Sequence, residues 1–201
     1  MRILTAAAAF ILGLAIALGA SAAEPTKVEV GKTTIFWSEL PGVDGRKHSM
    51  AEFDKCEVVV IATTCNHCPI AIEYYERMKE FSLRYCGKEG KVALVAVSLS
   101  NLETDRLPRM KQMAKRQGFN FPYLYDESQE LGKSLGATNT PQFFVLDRNR
   151  LLVYRGAWDD NLNATHVQRT YVVDAIEALL AGKSPSVAET KAKGCPIDYN
   201  E

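Results

Sequence analysis

Two cysteines three positions apart, at the point where a strand gives way to a helix, limit this chain more than any other feature. Cys65-Asn66-His67-Cys68 follows the apolar run Val58-Val59-Val60-Ile61-Ala62-Thr63 and opens a helical pattern that starts near Asn66. A parallel strand leading into a helix needs a crossover fold, so the motif already argues for an α/β architecture. It also carries chemistry. At a helix N-terminus the free N–H groups and the macrodipole favour a thiolate over a thiol. In such motifs the first cysteine falls from a pKa of about 8.5 to roughly 3.5–7.5. The expectation is that Cys65 attacks disulfides and Cys68 closes the ring behind it.

The rest of the composition removes alternatives. Lys plus Arg and Asp plus Glu stand at 24 each, giving no net charge to draw nucleic acid or an anionic surface. The 201 residues suit about one domain once the N-terminus is set aside. Residues 1–23 read as a secretory signal: Arg2, an apolar stretch from Ile3 to Leu18, then small-x-small sites at Ala20-Ser21-Ala22 and Ser21-Ala22-Ala23. The expected location is periplasmic or secreted. The alternative is a chain facing the periplasm, anchored by an uncleaved segment of near-spanning length. Five cysteines in an oxidising compartment are an odd number, so at least one thiol is unpaired or shared during turnover.

Periodicity then lays out one domain over 24–183 and a polar tail over 184–201. Val28-Glu29-Val30 and Thr33 to Trp37 flank Gly31-Lys32 as a hairpin lead-in, and Asp44-Gly45 signals a second tight turn. Ser49 is placed to cap a short turn. A helix over about 66–85 shows Ile70, Tyr74, Met78, Phe81 and Tyr85 on one face. Lys91 to Leu99 has the unbroken apolar character of a strand covered on both faces. A helix from Thr104 to Gln117 follows, then a strand at Phe121 to Tyr125 and a short helix from Ser128 to Leu135. Gln142 to Leu146 and Leu151 to Arg155 read as a hairpin, and Thr165 to Ala181 as the last helix, with Tyr171, Ala175, Ile176 and Leu179 inward. The architecture expected is a central mixed sheet with helices on both faces.

From about Thr33 to Gly182 the chain resembles the thioredoxin-like superfamily. Cys65-Asn66-His67-Cys68-Pro69 and the Thr140-Pro141 before Gln142-Phe143-Phe144-Val145 carry that resemblance. Within it the chain is similar to exported TlpA/ResA-type thiol–disulfide oxidoreductases and to the neighbouring AhpC/TSA peroxiredoxin-like branch. The lead-in Leu40 to Arg46 and the strand–helix insertion from Tyr123 to Gly136 are typical of that branch. The resemblance implies a thioredoxin-like α/β fold and a cis bond at Thr140-Pro141, with Thr140 beside Cys65 ready to pair with an extended substrate. It implies protein thiols and disulfides as substrates, a partner that recycles the couple, and no cofactor.

The remaining candidates leave alternatives open. His67, as an imidazolium near Cys65, would stabilise the thiolate and make the couple more oxidising; otherwise it is an exposed first-turn residue. Cys56 starts the strand rising to Cys65 and Cys86 ends the helix descending from it, so a structural disulfide between them is expected at the far pole. Two buried free thiols are the competing reading. Cys195, in Gly194-Cys195-Pro196, is a resolving or partner-linking thiol or an incidental one. A thiol peroxidase is the second functional reading. However, that family has a threonine three residues before its reactive cysteine, where this chain has Ala62, and no proline lies between Pro41 and Pro69. A copper or zinc carrier using Cys65, Cys68 and His67 is third, with no further ligand evident in the sequence, so no metal is assigned.

Overall fold

A computed structural model describes residues 28–87 and 90–200; the signal segment expected over 1–23 lies outside them. The elements are β1 (Leu40–Pro41), β2 (Lys47–His48), β3 (Val58–Thr64), α1 (Pro69–Glu73), α2 (Tyr75–Tyr85) and β4 (Val92–Ser98). They continue with α3 (Leu107–Gln117), β5 (Tyr123–Tyr125), α4 (Glu130–Leu135), β6 (Asn139–Thr140), β7 (Gln142–Leu146), β8 (Leu152–Gly156), α5 (Tyr171–Leu180) and β9 (Cys195–Pro196).

Five strands form the central sheet in the order β5-β4-β3-β7-β8. β3, β4 and β5 are parallel, while β7 is antiparallel to β3 and β8 to β7. The apolar runs of β3 and β4 are buried along their whole length, as strands with both faces covered must be. Val58, Val60 and Ala62 point to a layer with α2, α3 and α5. Val59 and Ile61 point to the other layer, with α4, the lead-in from Ile35 to Met50 and Ile197 of the tail. This is the mixed, doubly covered sheet expected from the sequence, and it is a thioredoxin-like fold.

Several elements depart from the expectation. The first lead-in hairpin does not form. Glu29 closes a turn on Lys32 and Thr33 instead, and the segment runs along β8, with Gly31 donating to Leu152 and Ile35 to Arg150. The edge of a large sheet offers more partners than an isolated two-strand ribbon. The Asp44-Gly45 hairpin does form, pairing β1 with β2. The helix after the motif is broken at Tyr74, where the N–H turns back to Ala71. Its stripe still packs as one face, from Ile70 through Tyr85. The last helix starts at Tyr171, because Asn163 ends the preceding loop in a separate short turn, its side chain accepting from the Thr165 N–H.

The expected Cys56–Cys86 bridge is absent. Both are free thiols. Cys86 packs into the α2/α3/α5 layer and Cys56 into the opposite one, so the sheet's two faces separate side chains that share a pole.

The tail differs most. Its polar sequence suggests a loose surface segment, yet it is stitched to the domain. Residues 188–190 pair with Arg155, β9 pairs with β6, and Ile197 donates to the Thr138 carbonyl. Gln129, fully buried, holds Asp198 and Asn200 through its amide, and the Tyr199 hydroxyl reaches Ala137.

Candidate active site

β3 delivers Cys65 at its carboxyl end, the position where open α/β sheets present their reactive groups. The next residues turn through an irregular loop, and helix α1 begins only at Pro69, with Cys68 as its N-cap. Cys65, Cys68 and Ala71 pack together as a small buried cluster, joined by Ile70 and Cys195. Cys65 is 1% exposed and Cys68 wholly buried. The Tyr75 hydroxyl donates to the Cys65 carbonyl at 2.8 Å, fixing the end of the strand.

Thr63 ties the second half of the site to the first. Its hydroxyl donates to the Asn139 carbonyl at 2.8 Å and accepts from the Gln142 N–H at 2.9 Å. This brings Thr140-Pro141, joined by a cis bond, against the cysteines. The Cys68 thiol donates to the Thr140 carbonyl at 3.1 Å. The Thr140 hydroxyl, which has no regular hydrogen-bond partner, lies beside the Cys65 sulfur.

A residue that the sequence did not single out organises the loop. Asp105, fully buried, accepts the N–H groups of Asn66 at 2.6 Å and His67 at 3.2 Å through one oxygen. Its other oxygen takes the His67 ring at 2.5 Å and the Ser100 hydroxyl at 2.8 Å. Asn66 adds a bond from its amide to the Thr104 carbonyl. A polar segment immediately after β4, at the carboxyl end of a parallel strand, was the available signal.

This arrangement reverses the expected electrostatics. The N–H groups of Asn66 and His67 are committed to Asp105, which leaves the Cys68 N–H to face the Cys65 sulfur. The His67 ring, 40% exposed, is bound to that carboxylate and not to the sulfur. Burial, reinforced by the Asp105 charge, pushes the Cys65 thiol up to about 12, with the Cys68 N–H and then the Thr140 hydroxyl working in the other direction. Reduced Cys65 is therefore a thiol at neutral pH.

Cys65, His67 and Asp105 each bring one ligand-type atom to within 4.8 Å of the others. Asp105 thus supplies the extra group that the sequence lacked for a metal reading. Its oxygens already take the Asn66 and His67 N–H groups, the His67 ring and the Ser100 and Thr104 hydroxyls, so the carboxylate acts as a hydrogen-bonded anchor.

Cys65 opens onto a cleft of about 240 Å³. Thr64, His67, Thr140 and the loop from Leu99 to Leu102 form one side, and tail residues Pro196, Ile197, Asp198 and Asn200 form the other. Cys68 does not line it. Cys195 lies outside the cleft, half-buried, with its sulfur 2.7 Å from that of Cys68. Its hydrogen bond with Cys68 and its burial push it up to about 11. Of the candidate residues, Cys65, Cys68, His67, Thr140, Pro141 and Cys195 thus converge, and Cys56 and Cys86 lie at the other end of the sheet.

The fold and its paired cysteines at the end of β3 define a thioredoxin-like redox protein. More narrowly, residues 21–170 match the Redoxin family, and the chain belongs to it. A solved hypothetical protein from Sinorhizobium meliloti 1021 is similar over 87% of this chain and 96% of its own, at 30% identity and a TM-score of 0.77. A peroxidoxin from Mycobacterium tuberculosis superimposes over 79% of this chain and 100% of its own, at 17% identity and a TM-score of 0.59. A thiol-disulfide oxidoreductase from Bacteroides fragilis covers 62% of this chain and 89% of its own, at 18% identity and a TM-score of 0.53. The last two share the fold. No curated protein sequence matches the chain.

Proposed function

We propose that this protein is an exported thiol–disulfide oxidoreductase whose working couple is Cys65–Cys68. The observation that carries the reading is the asymmetry of the pair: Cys65 faces the cleft, while Cys68 sits behind it against Thr140. The reduced protein donates electrons. Cys65, on losing its proton, attacks a substrate disulfide, forms a mixed disulfide and releases one substrate thiolate. Cys68 then attacks the Cys65 sulfur, closes the Cys65–Cys68 bond and releases the second thiolate. Two electrons and two protons pass to the substrate. A recycling partner returns them.

The substrates we assign are protein disulfides that present one sulfur at the cleft. Strand β9 already occupies the edge of Thr140, so a protein substrate enters by a protruding loop and not by strand pairing. Export rests on the sequence of residues 1–23. Among the described residues no helix is long and apolar enough to cross a membrane.

A thiol peroxidase is the second reading, supported by one observation. The Thr140 hydroxyl is buried without a regular partner and lies beside the Cys65 sulfur at the cleft, where an oxygen-bearing substrate bound to Cys65 would come within its reach. Against it stand Ala62, where that family has a threonine three residues before its reactive cysteine, and the lack of a proline between Pro41 and Pro69.

Parallel insulin-reduction and peroxide-consumption assays decide between them. Cys65→Ser is expected to abolish insulin reduction, and Cys68→Ser to accumulate mixed disulfides at Cys65. Insulin reduction that survives Cys65→Ser would overturn the assignment.

A further inference from the structure

The last described strand of the chain exists to place one sulfur. β9 pairs antiparallel with β6 so that Cys195 is opposite Thr140, the residue whose carbonyl accepts from Cys68. The Cys195 and Cys68 sulfurs are 2.7 Å apart, against about 2.05 Å in a formed disulfide. The placement is enforced on both sides. Asn139 donates its side-chain amide to the Gly194 carbonyl at 3.1 Å, and Ile197 anchors into the core layer. Gly194 presses so closely on Thr140 that a Cβ there would lie 2.4 Å from its carbonyl oxygen. The buried Gln129 clamps the segment three and five residues beyond Cys195, at Asp198 and Asn200.

From this geometry we infer that Cys195 is a third redox cysteine, which takes over the disulfide from Cys65–Cys68 and holds it as Cys68–Cys195. The inference rests on the proposed Cys65–Cys68 couple and extends it. After substrate reduction, Cys195 loses its proton and its sulfur attacks that of Cys68. The Cys68–Cys195 bond forms and the Cys65–Cys68 bond breaks. Cys65 leaves as a thiolate and takes up a proton. One disulfide replaces another, with no net electron transfer. The two oxidising equivalents came from the substrate disulfide.

The exchange separates the two faces of the reaction. Substrate meets Cys65 inside the cleft, whose lining includes neither Cys68 nor Cys195. The recycling reductant, a dithiol of the same chemical class, meets the oxidised protein at half-exposed Cys195 outside it. Cys65 is meanwhile a free thiol again.

The full chain supports a direct test. Wild type, Cys65→Ser and Cys195→Ser are oxidised with stoichiometric diamide, alkylated in acid and digested with trypsin without reduction. Cleavage after Lys193 isolates Cys195 in residues 194–201, apart from the peptide 56–77 that holds Cys65 and Cys68. In wild type the two peptides are expected to be joined through Cys68, with Cys65 alkylated. In Cys65→Ser the same Cys68–Cys195 link is expected at near-stoichiometric yield. In Cys195→Ser the expectation is that Cys65 becomes protected, because its bond to Cys68 has no successor. Alkylated Cys195 in both wild type and Cys65→Ser overturns the inference while leaving the Cys65–Cys68 couple intact. Insulin reduction by Cys65→Ser instead overturns the couple itself, whatever the state of Cys195.

Discussion

Replacing Asp105 by Asn tests the electrostatics of the site at its source. The carboxylate is wholly buried and within 4.8 Å of the Cys65 sulfur and the His67 ring. A unit charge at that distance, in an effective dielectric of about 20, acts with about 3 kcal/mol. At 1.36 kcal/mol per unit this corresponds to roughly two pKa units. The N–H and O–H donors on the same carboxylate offset part of it, so Asp105→Asn should lower Cys65 from about 12 by about one to two units. Below the midpoint each unit multiplies the thiolate fraction tenfold. Iodoacetamide labelling of Cys65 at pH 8, read by mass spectrometry, should therefore quicken by about 10- to 100-fold. The Asn oxygen still accepts from the Asn66 and His67 N–H groups, so the loop keeps its shape. A midpoint for Asp105→Asn within error of wild type, or above it, would refute the reasoning.

Two further outcomes follow from other parts of the structure. Arg77 pairs with Asp159 at 2.6 Å, both largely buried, so Arg77→Met should cost about 3–5 kcal/mol in urea unfolding at pH 7. Burial holds Asp159 above its ordinary 3.8 and Arg77 pulls it down. The folded state therefore binds that proton more tightly than the unfolded one, and acidification through this window stabilises it. Removing Arg77 extends the window upward, so the deficit should shrink at pH 5; an equal deficit at both values would count against the pairing. Gly194→Ala puts a Cβ 2.4 Å from the Thr140 carbonyl oxygen, which is backbone and cannot turn aside. Cys195 should be displaced from Cys68 and alkylate faster in the reduced native protein, with unchanged labelling refuting the close contact.

The parts of the fold that were legible in the sequence are those with a local physical signature. Val58 to Thr63 and Val92 to Leu99 are apolar without alternation because both sheet faces are covered, and they are strands β3 and β4. Ile70, Tyr74, Met78, Phe81 and Tyr85 kept a helical stripe even across the break at Tyr74. The convergence of Thr140-Pro141 on the cysteines came from resemblance. What stayed hidden depends on partners far along the chain. Asp105 sits 38 residues beyond His67, and only the folded loop makes it the acceptor of that ring. The pairing of Thr140 with Cys195 leaves no periodicity in a two-residue strand. The motif's thiolate-favouring N-terminus is a fair inference from spacing, but it takes no account of the burial of Cys65 or of the Asp105 charge behind it. The Cys56–Cys86 bridge failed for a related reason: topology places chain ends at a pole, while the face of the sheet decides where each side chain points.

The tail that walls the cleft is also the last part of the described chain to be synthesised. Cys68 and Cys195 are separated by 127 residues, so β3, β4 and the motif leave the ribosome well before Gly194 does. During that interval the chain carries two cysteines whose roof has not been made, beside an unpaired edge at Thr140. The finished site is thus a product of chain order. The wall of the cleft and the Cys195–Thr140 pairing can form only once residues 194–200 have joined the rest of the domain.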